Sequence, residues 1–538
     1  MYMLNAGMGI GLSGLQAAQN GISVTGQNIT NINTPGYARQ RVNLETNYAV
    51  RIDKLQFGLG VNTRSVQAIR DKFLDMQLTL TITRQFGTKT RYEALDNVSS
   101  VFIDEDEFGM RAELQKFFES FEELAARPEN DAVRMNVVTR AQTFITGLKS
   151  RYQILEDKRT EINRSVASMT AEINTLANQI AKLNQQIACE VPKGSDNNSR
   201  DQRTALVNRL AELIGIQVYE DTQERLTITA ENGMPLVSGG SAIPLIVSDI
   251  NGDGHFKVEL GIGKPTLEQP PGSGNYVHDA TKNEKVDVTS AIRSGTLGGL
   301  IDLRDNILPG YMMQMDQLAA SVVIQVNQIH RDGAGLDNPH NLPTPPRDFF
   351  VGTEGNDPWG QFLDINGTSL DASQKYKGVI YYLAINKDIL DDPRKIASGD
   401  PNAVDSFGNP ISGPGNNEIA RQLAALQNAE NTVDSRNVGF GIDPITGRVT
   451  VGNSGPFSIF LSSIANKIGN QTLKYKADAT TDEDIRIAIE TQRDRISQVD
   501  MDEEATYLIV FQRSYQACSR FIGVIDQLTE QLINNFGR

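Results

Sequence analysis

Cysteine is almost missing from this chain. Its 538 residues hold two, Cys189 and Cys518, too far apart in sequence to mark a disulfide framework. Histidine is nearly as scarce. His255, His278, His330 and His340 show no metal-ligand spacing, and neither cysteine sits beside one. No metal and no cofactor are expected. Long apolar runs are absent too, so no membrane insertion is expected. Positive charge is in deficit: 51 Lys and Arg against 66 Asp and Glu leave a net charge of −15 and a pI near 4.9. A general nucleic-acid binder carries a basic face, so no nucleic-acid partner is expected. The G-x-S-x-G, P-loop and H-E-x-x-H patterns do not occur. No catalytic residue is assigned, and the chain reads as non-enzymatic.

A sharper absence lies at the start. Residues 1–38 contain no charged residue and no histidine; Arg39 is the first charge. A cleaved secretory signal needs a basic head and a continuous apolar core. This stretch has neither, because Gly, Ser, Asn, Gln and Thr interrupt it throughout.

What the stretch does have is period. Leu4, Met8, Gly11, Leu15, Ala18, Ile22, Thr25, Ile29 and Ile32 follow the alternating three- and four-residue spacing of a coiled-coil seam. The helix should stop before Asn33-Thr34-Pro35-Gly36. Proline then glycine suits a type II turn, since proline presets φ and glycine accepts a positive φ. The C-terminus shows the same spacing in Leu508, Phe511, Tyr515, Cys518, Ile522, Ile525, Thr529, Leu532 and Phe536. Asp500 and Glu503 suggest a capping box, so this helix should begin near 500 and run to the end. Each seam is too narrow for a lone helix in water. The economical reading is that the two helices pack together. The other face of the first helix is polar but uncharged, which suits packing against further copies, where buried charge is costly.

Between the ends, Leu148, Tyr152, Leu155, Arg159, Ile162, Val166, Met169, Ile173, Leu176, Ile180, Leu183 and Ile187 keep the seam for twelve positions, broken only by Arg159. That predicts a rod about 60 Å long, with partner helices over 110–147, 304–331 and 458–498. The period then changes to two at Ile216–Glu220, Leu226–Thr229 and Phe256–Leu260, predicting strands. The fold class expected is α+β: a discontinuous α-helical coiled-coil core formed by the N- and C-terminal regions, with inserted β-rich outer domains. The terminal coiled-coil domain is 1–48 with 499–538. The long-helix rod domain is 49–210, 288–335 and 418–498. A β-rich insert spans 211–287, and a second variable insert spans 336–417.

Two local patterns carry little. Gly9-Ile-Gly11-Leu-Ser-Gly14 fits G-x-G-x-x-G but has no preceding strand and no acid at the required distance. Asp249–Gly254 opens like a calcium loop, yet its twelfth place holds Leu260. A calcium-binding surface adhesin built on that loop is the rival reading from another class.

Gly11-Leu-Ser-Gly-Leu-Gln-Ala-Ala-Gln19, and Gln27-Asn-Ile-Thr-Asn-Ile-Asn-Thr-Pro-Gly-Tyr-Ala-Arg-Gln40, resemble the N-terminal signature of the bacterial flagellar rod, hook and hook-associated protein family. Val499-Asp-Met-Asp-Glu-Glu-Ala505 and Phe511-Gln-Arg-Ser-Tyr-Gln-Ala517 resemble its C-terminal signature. Gly36-Tyr-Ala-Arg-Gln40, the long coil, Asp201–Leu210 and Ser294–Gly-Thr-Leu-Gly-Gly-Leu300 are most similar to the hook-associated members at the hook–filament junction. Another rod- or hook-type axial protein is the alternative within the family. The resemblance implies a structural component of the flagellar axis, forming a junction ring between hook and filament and required for filament assembly. The partners implied are other copies in a homo-oligomeric ring, the hook protein, a second junction protein on the filament side, and an export chaperone at the C-terminal helix. The location implied is outside the cell, after type III export without a cleaved signal. The assembly interface is then expected at Leu4, Met8, Leu15, Ile22, Ile29 and Ile32 on the first helix. On the last helix it is expected at Leu508, Phe511, Tyr515, Cys518, Ile522, Ile525, Leu532 and Phe536. Asn28, Asn31, Asn33, Pro35, Gly36 and Tyr37 form the motif turn.

Overall fold

A computed structural model describes residues 2–34, 36–52, 55–102, 109–190, 196–249, 255–267, 276–337, 347–352, 378–402, 414–429 and 456–536. The chain is α+β, as expected: long helices with small antiparallel sheets. It divides into two compact units. One holds Met1–Thr88, Val166–Gly299 and Asp478–Arg538; the other holds Lys89–Ser165 and Leu300–Ala477. The boundary falls inside four continuous helices, Lys72–Ser99, Asp131–Ala188, Gly295–Asp302 and Phe457–Ser497. No break in periodicity marks such a boundary, so a reading by composition places domain limits elsewhere.

The long coil runs further than its seam announced. Asp131–Ala188 is one helix of 58 residues, about 87 Å of continuous rise. Pro128 separates it from Met110–Ala126. Leu148, Tyr152, Leu155, Ile162, Val166, Ile173, Leu176, Ile180 and Ile187 are buried. The exception, Arg159, stays on the seam because its Nε donates to the Arg304 carbonyl at 3.2 Å and Nη1 pairs with Glu156.

In the first unit, Ile216–Glu220, Leu226–Ala230, Pro235–Ser238 and Ser241–Ala242 form a four-stranded antiparallel sheet in sequence order. Leu245–Ser248, Lys257–Leu267 and Tyr276–Asp287 form a three-stranded one. Two asparagines beside the coil seam fasten these sheets to the helix. Asn174 donates to the Leu245 carbonyl and accepts from the Leu245 N–H, both at 2.8 Å, as a paired strand would. Asn184, with no exposed surface, does the same for Leu226. A buried amide is tolerated there because all its bonds are made.

Residues 40–68 depart from the helical expectation. Gln40–Thr46 pairs antiparallel with Val61–Ala68, and Ala49–Ile52 pairs with Leu55–Gly58. The alternation Val42-Asn-Leu44 was there to be read, but it is short and follows a glycine turn.

In the second unit, Phe117, Phe118, Phe121, Phe144, Phe349, Phe350 and Phe457 are all within 1% of complete burial, and their rings meet in tilted, edge and stacked pairs. Much of 336–417 lies outside the described residues. The described parts are tied to the helix Leu308–Arg331. Asn327 donates to the Phe350 carbonyl and accepts from the N–H groups of Phe349 and Phe350. Buried Asp316 accepts from Tyr152 Oη and from the N–H groups of Gly378 and Ile380. His330 accepts from the Ala397 N–H at Nε2 and donates from Nδ1 to the Arg347 carbonyl. Those bonds fix the neutral tautomer, and full burial holds the imidazole pKa down at about 4.

The sign of the resulting pH dependence follows. Between about pH 6.5 and pH 4 the unfolded chain binds a proton that native His330 refuses, so stability falls as pH falls through that window. The loss is about 3 kcal/mol. Urea midpoints at pH 7 and pH 4.5 should therefore separate more for the native chain than for His330→Gln. Equal separations would remove His330 as the cause.

Candidate functional site

Helix Tyr2–Thr30 and helix Met501–Phe536 lie in the first unit and pair along their lengths. The contact line on the first helix is a row of small residues. A methyl group on Gly21 would sit 2.5 Å from the Phe511 ring, and on Gly14, 2.7 Å from Cys518 Sγ. On Gly11 it would sit 2.7 Å from Ile522, and on Gly7, 3.1 Å from Ile525. Ala18, Thr25 and Asn28 continue the row and are buried. The large residues of the second helix thus fill places left by missing side chains on the first.

This line shares Gly11, Ala18 and Thr25 with the apolar seam and departs from it by one residue at the alternate positions. Gly7, Gly14, Gly21 and Asn28 face the partner helix, while Met8, Leu15, Ile22 and Ile29 flank the contact line. Met8 is 39% exposed; Leu15, Ile22, Ile29 and Ile32 are half-buried. The side chains of Leu4 and Phe536, and Pro35 altogether, lie outside the described residues. On the C-terminal helix, Leu508, Phe511, Cys518, Ile522 and Ile525 are half-buried, whereas Tyr515 and Leu532 are each 38% exposed. Small residues give a weak hydrophobic signal, which is why periodicity centred on the larger neighbours.

Part of the uncharged face is also spoken for. The Val61 N–H donates to Ser13 Oγ at 3.2 Å, and Asn20 donates to Thr63 Oγ1 at 3.2 Å. The strand Val61–Ala68 of the same chain therefore covers a face that the missing charges had assigned wholly to other copies.

The motif turn closes the pair at one end. Gly36 has φ +80°, and the Tyr37 N–H donates to the Thr34 carbonyl at 3.2 Å, the closure of the expected turn. Asn28, 1% exposed, is the hub. Its amide donates to the Gln40 carbonyl at 2.9 Å and to Glu504 Oε2 at 3.0 Å. Its carbonyl oxygen accepts from Tyr37 Oη and from the Gln40 N–H, both at 2.9 Å. All four bonding positions of the amide are filled. Arg39 completes the link: Nε donates to Glu504 Oε1 at 2.7 Å, and Nη1 to Glu503 at 2.8 Å. The turn, the first charge of the chain and the head of the last helix therefore form one network. Burial, with the carboxylates of Asp201 and Glu504, pushes the Tyr37 phenol up to about 12, so it remains a donor.

Asn31 and Thr34 bond within the turn, and Arg70 reaches the Gly36 carbonyl at 3.1 Å while pairing with Asp201 at 2.7 Å. Asn33 is exposed on the rim of a polar cleft of about 360 Å³. Among the described residues no group of three or more His, Cys, Asp or Glu could hold a metal, and no helix is long and apolar enough to cross a membrane. Of the calcium-like loop only Asp249 is described; the rest lies outside the described residues.

Away from the contact, the C-terminal helix shows apolar side chains to solvent: Ile509 and Val510 at 51%, Val524 at 53% and Ile533 at 55%. The pair is a built unit that keeps apolar side chains on its outer surface.

Residues 95–350 match the family described as the flagellar hook-associated protein FlgK helical domain. Residues 8–37 match the flagella basal body rod protein family, and residues 491–535 the flagellar basal body rod FlgEFG protein C-terminal family. The flagellar hook-associated protein 1 of Escherichia coli (strain K12) is 26% identical over 557 residues, covering 97% of this chain and 98% of that one. Its namesake in Bacillus subtilis (strain 168) is 24% identical over 550 residues, covering 97% and 96%. The solved structure of the flagellar hook junction protein FlgK from Burkholderia pseudomallei shares the fold, with a TM-score of 0.59 at 15% identity over 78% of this chain and 100% of that one. Both terminal signatures, the helical domain between them and near full-length similarity agree: over 97% of its length the chain is a homologue of flagellar hook-associated protein 1.

Proposed function

We propose that the chain is a non-enzymatic structural component of the flagellar axis, forming the junction ring between hook and filament and required for filament assembly. The observation that carries this is the terminal helix pair: locked inward by the glycine row and the Asn28 network, and apolar outward. Copies pack through these pairs, with Met8, Leu15, Ile22 and Ile29 flanking the first helix and the exposed side of the last helix facing neighbours. The hook protein lies below the ring and a second junction protein on the filament side. Before export an escort chaperone shields the C-terminal helix, and type III export needs no cleaved signal. The match of 95–350 to the hook-associated helical domain favours the junction over another rod or hook position.

The test uses a strain deleted for this gene. The native chain should restore filaments, and Val524→Asp, at a position 53% exposed on the outward side of the last helix, should not, while its urea midpoint stays within error of native. Filaments restored by Val524→Asp would overturn assembly through the helix pair.

A further inference from the structure

The polar cleft beside the motif turn lies wholly within the first unit. Its walls are the turn itself, residues 204–208 of helix Asn197–Leu213, and residues 490–499 around the end of helix Phe457–Ser497. Hydrogen bonds tie these walls together. The Arg39 N–H donates to the Ser497 carbonyl at 2.9 Å, and the Ile69 N–H to the Arg39 carbonyl at 2.7 Å. The next residue, Arg70, donates from Nη2 to the Gly36 carbonyl and from Nη1 to Thr204 Oγ1, both at 3.1 Å. At about 360 Å³ the cleft falls within the range of small-molecule sites, about 300–1,000 Å³.

Two buried atoms on residues that line the cleft have no hydrogen-bond partner among the described residues: Ser497 Oγ and Arg70 Nε. Ser497 is only 7% exposed. An unpaired buried polar group costs about 1–3 kcal/mol, so native proteins keep few. Here two fall beside one cleft, on residues joined through Arg39 and Ile69. A third lining group is short of a partner in the opposite sense. The Asp75 carboxylate has one ion pair among the described residues, at a long 3.5 Å from Arg70 Nη1. Burial holds that carboxyl above the usual carboxylate range. The remaining charged groups of the lining are paired: Arg493 donates to Asp494 at 2.6 Å, and Glu490 accepts from Arg486 at 2.7 Å.

The cleft therefore calls for an acceptor at Ser497 and Arg70 and a donor at Asp75. A phosphate supplies acceptors and would meet three carboxylates, Asp75, Glu490 and Asp494, against two guanidiniums. A molecule carrying both signs matches the lining. We infer that the cleft is a binding site for a free α-amino acid, whose carboxylate accepts from Ser497 Oγ and Arg70 Nε and whose ammonium donates to Asp75. A bound amino acid bridges the residue that holds the motif turn and the end of the penultimate helix, so it slows amide exchange in 36–39. The site is independent of how copies of the chain assemble.

The test titrates the full-length chain with each common L-amino acid in turn by calorimetry, with exchange in 36–39 read in parallel and with acetate and methylammonium as half-ligand controls. At least one amino acid should bind, tenfold or more tighter than either control. Ser497→Ala removes an atom with no protein partner among the described residues. That variant should keep the native urea midpoint and bind the same amino acid about tenfold more weakly, the effect of one lost bond to a charged group. Asp75→Asn should weaken it by a similar factor and leave the acetate control unchanged. No heat and no slowing of exchange with any amino acid would show that the cleft holds water only, and would overturn the inference. Acetate binding as tightly as the amino acid, or native affinity in Ser497→Ala, would overturn it as well.

Discussion

Arg39→Met should release the two terminal helices from each other while the rest of the chain stays folded. Glu504 is only 3% exposed at its side chain, and Arg39 is its sole cationic partner among the described residues. Removing one member of a buried ion pair leaves an uncompensated charge and costs about 3–5 kcal/mol. Here the Asn28 amide still donates to Glu504, so the lower part of that range applies. Amide exchange in 8–30 and 504–529 should then speed up by about two powers of ten, since each factor of ten is about 1.4 kcal/mol. Arg39→Lys should fall between, because an ammonium keeps the charge but cannot serve Glu503 and Glu504 with one planar fork. The pair Arg39→Met with Glu504→Leu should recover most of the loss, since no buried charge is left alone. Unchanged exchange in the single variant would show that the glycine-row packing alone holds the helices. Filament formation should follow the exchange rates across the four proteins.

How much of this was legible beforehand depends on the kind of interaction. Large apolar side chains at regular spacing report themselves. Leu148 to Ile187, Phe511 to Ile525, and the alternation at Ile216 and Leu226 all form the elements their spacing predicts. The glycine turn was equally plain, because few residues accept the φ of Gly36. What periodicity misses is contact made by absence. Gly7, Gly14 and Gly21 add no hydrophobic signal, yet they set where the helices touch, so the apparent seam was centred one residue away at Met8, Leu15 and Ile22. Polar hubs are hidden for the opposite reason. Asn28, Asn174, Asn184 and Asn327 look like surface residues until strand edges and a carboxylate, some far off in sequence, come to meet them. Resemblance pointed to the Asn28 motif; only geometry shows that its amide joins the first helix to the last.

The second large effect is expected at Arg134→Met. Arg134 has no exposed surface, and its guanidinium is held by main-chain oxygens instead of a carboxylate. Nε donates to the Pro128 carbonyl at 2.8 Å, Nη1 to the Ile396 carbonyl at 2.7 Å, and Nη2 to Ser398 Oγ at 2.7 Å. The cost of burying the cation shows in a pKa lowered to about 10. Arg134 joins the start of the long helix to the segment 394–398. Methionine fills similar volume but strands those acceptors, each worth about 1–3 kcal/mol when left unpaired, for a total of about 3–5 kcal/mol. Lysine should not rescue it, since one ammonium on a shorter stem cannot serve three directions. The variant should unfold at a lower urea midpoint and be cut first by protease within 378–402. An unchanged midpoint would show that the segment is held by His330 and the phenylalanine cluster without Arg134. Release of 394–398 in the variant would show that a stretch lacking any recognisable signature is fastened into the second unit by a cation that reads, in sequence, as one more surface arginine.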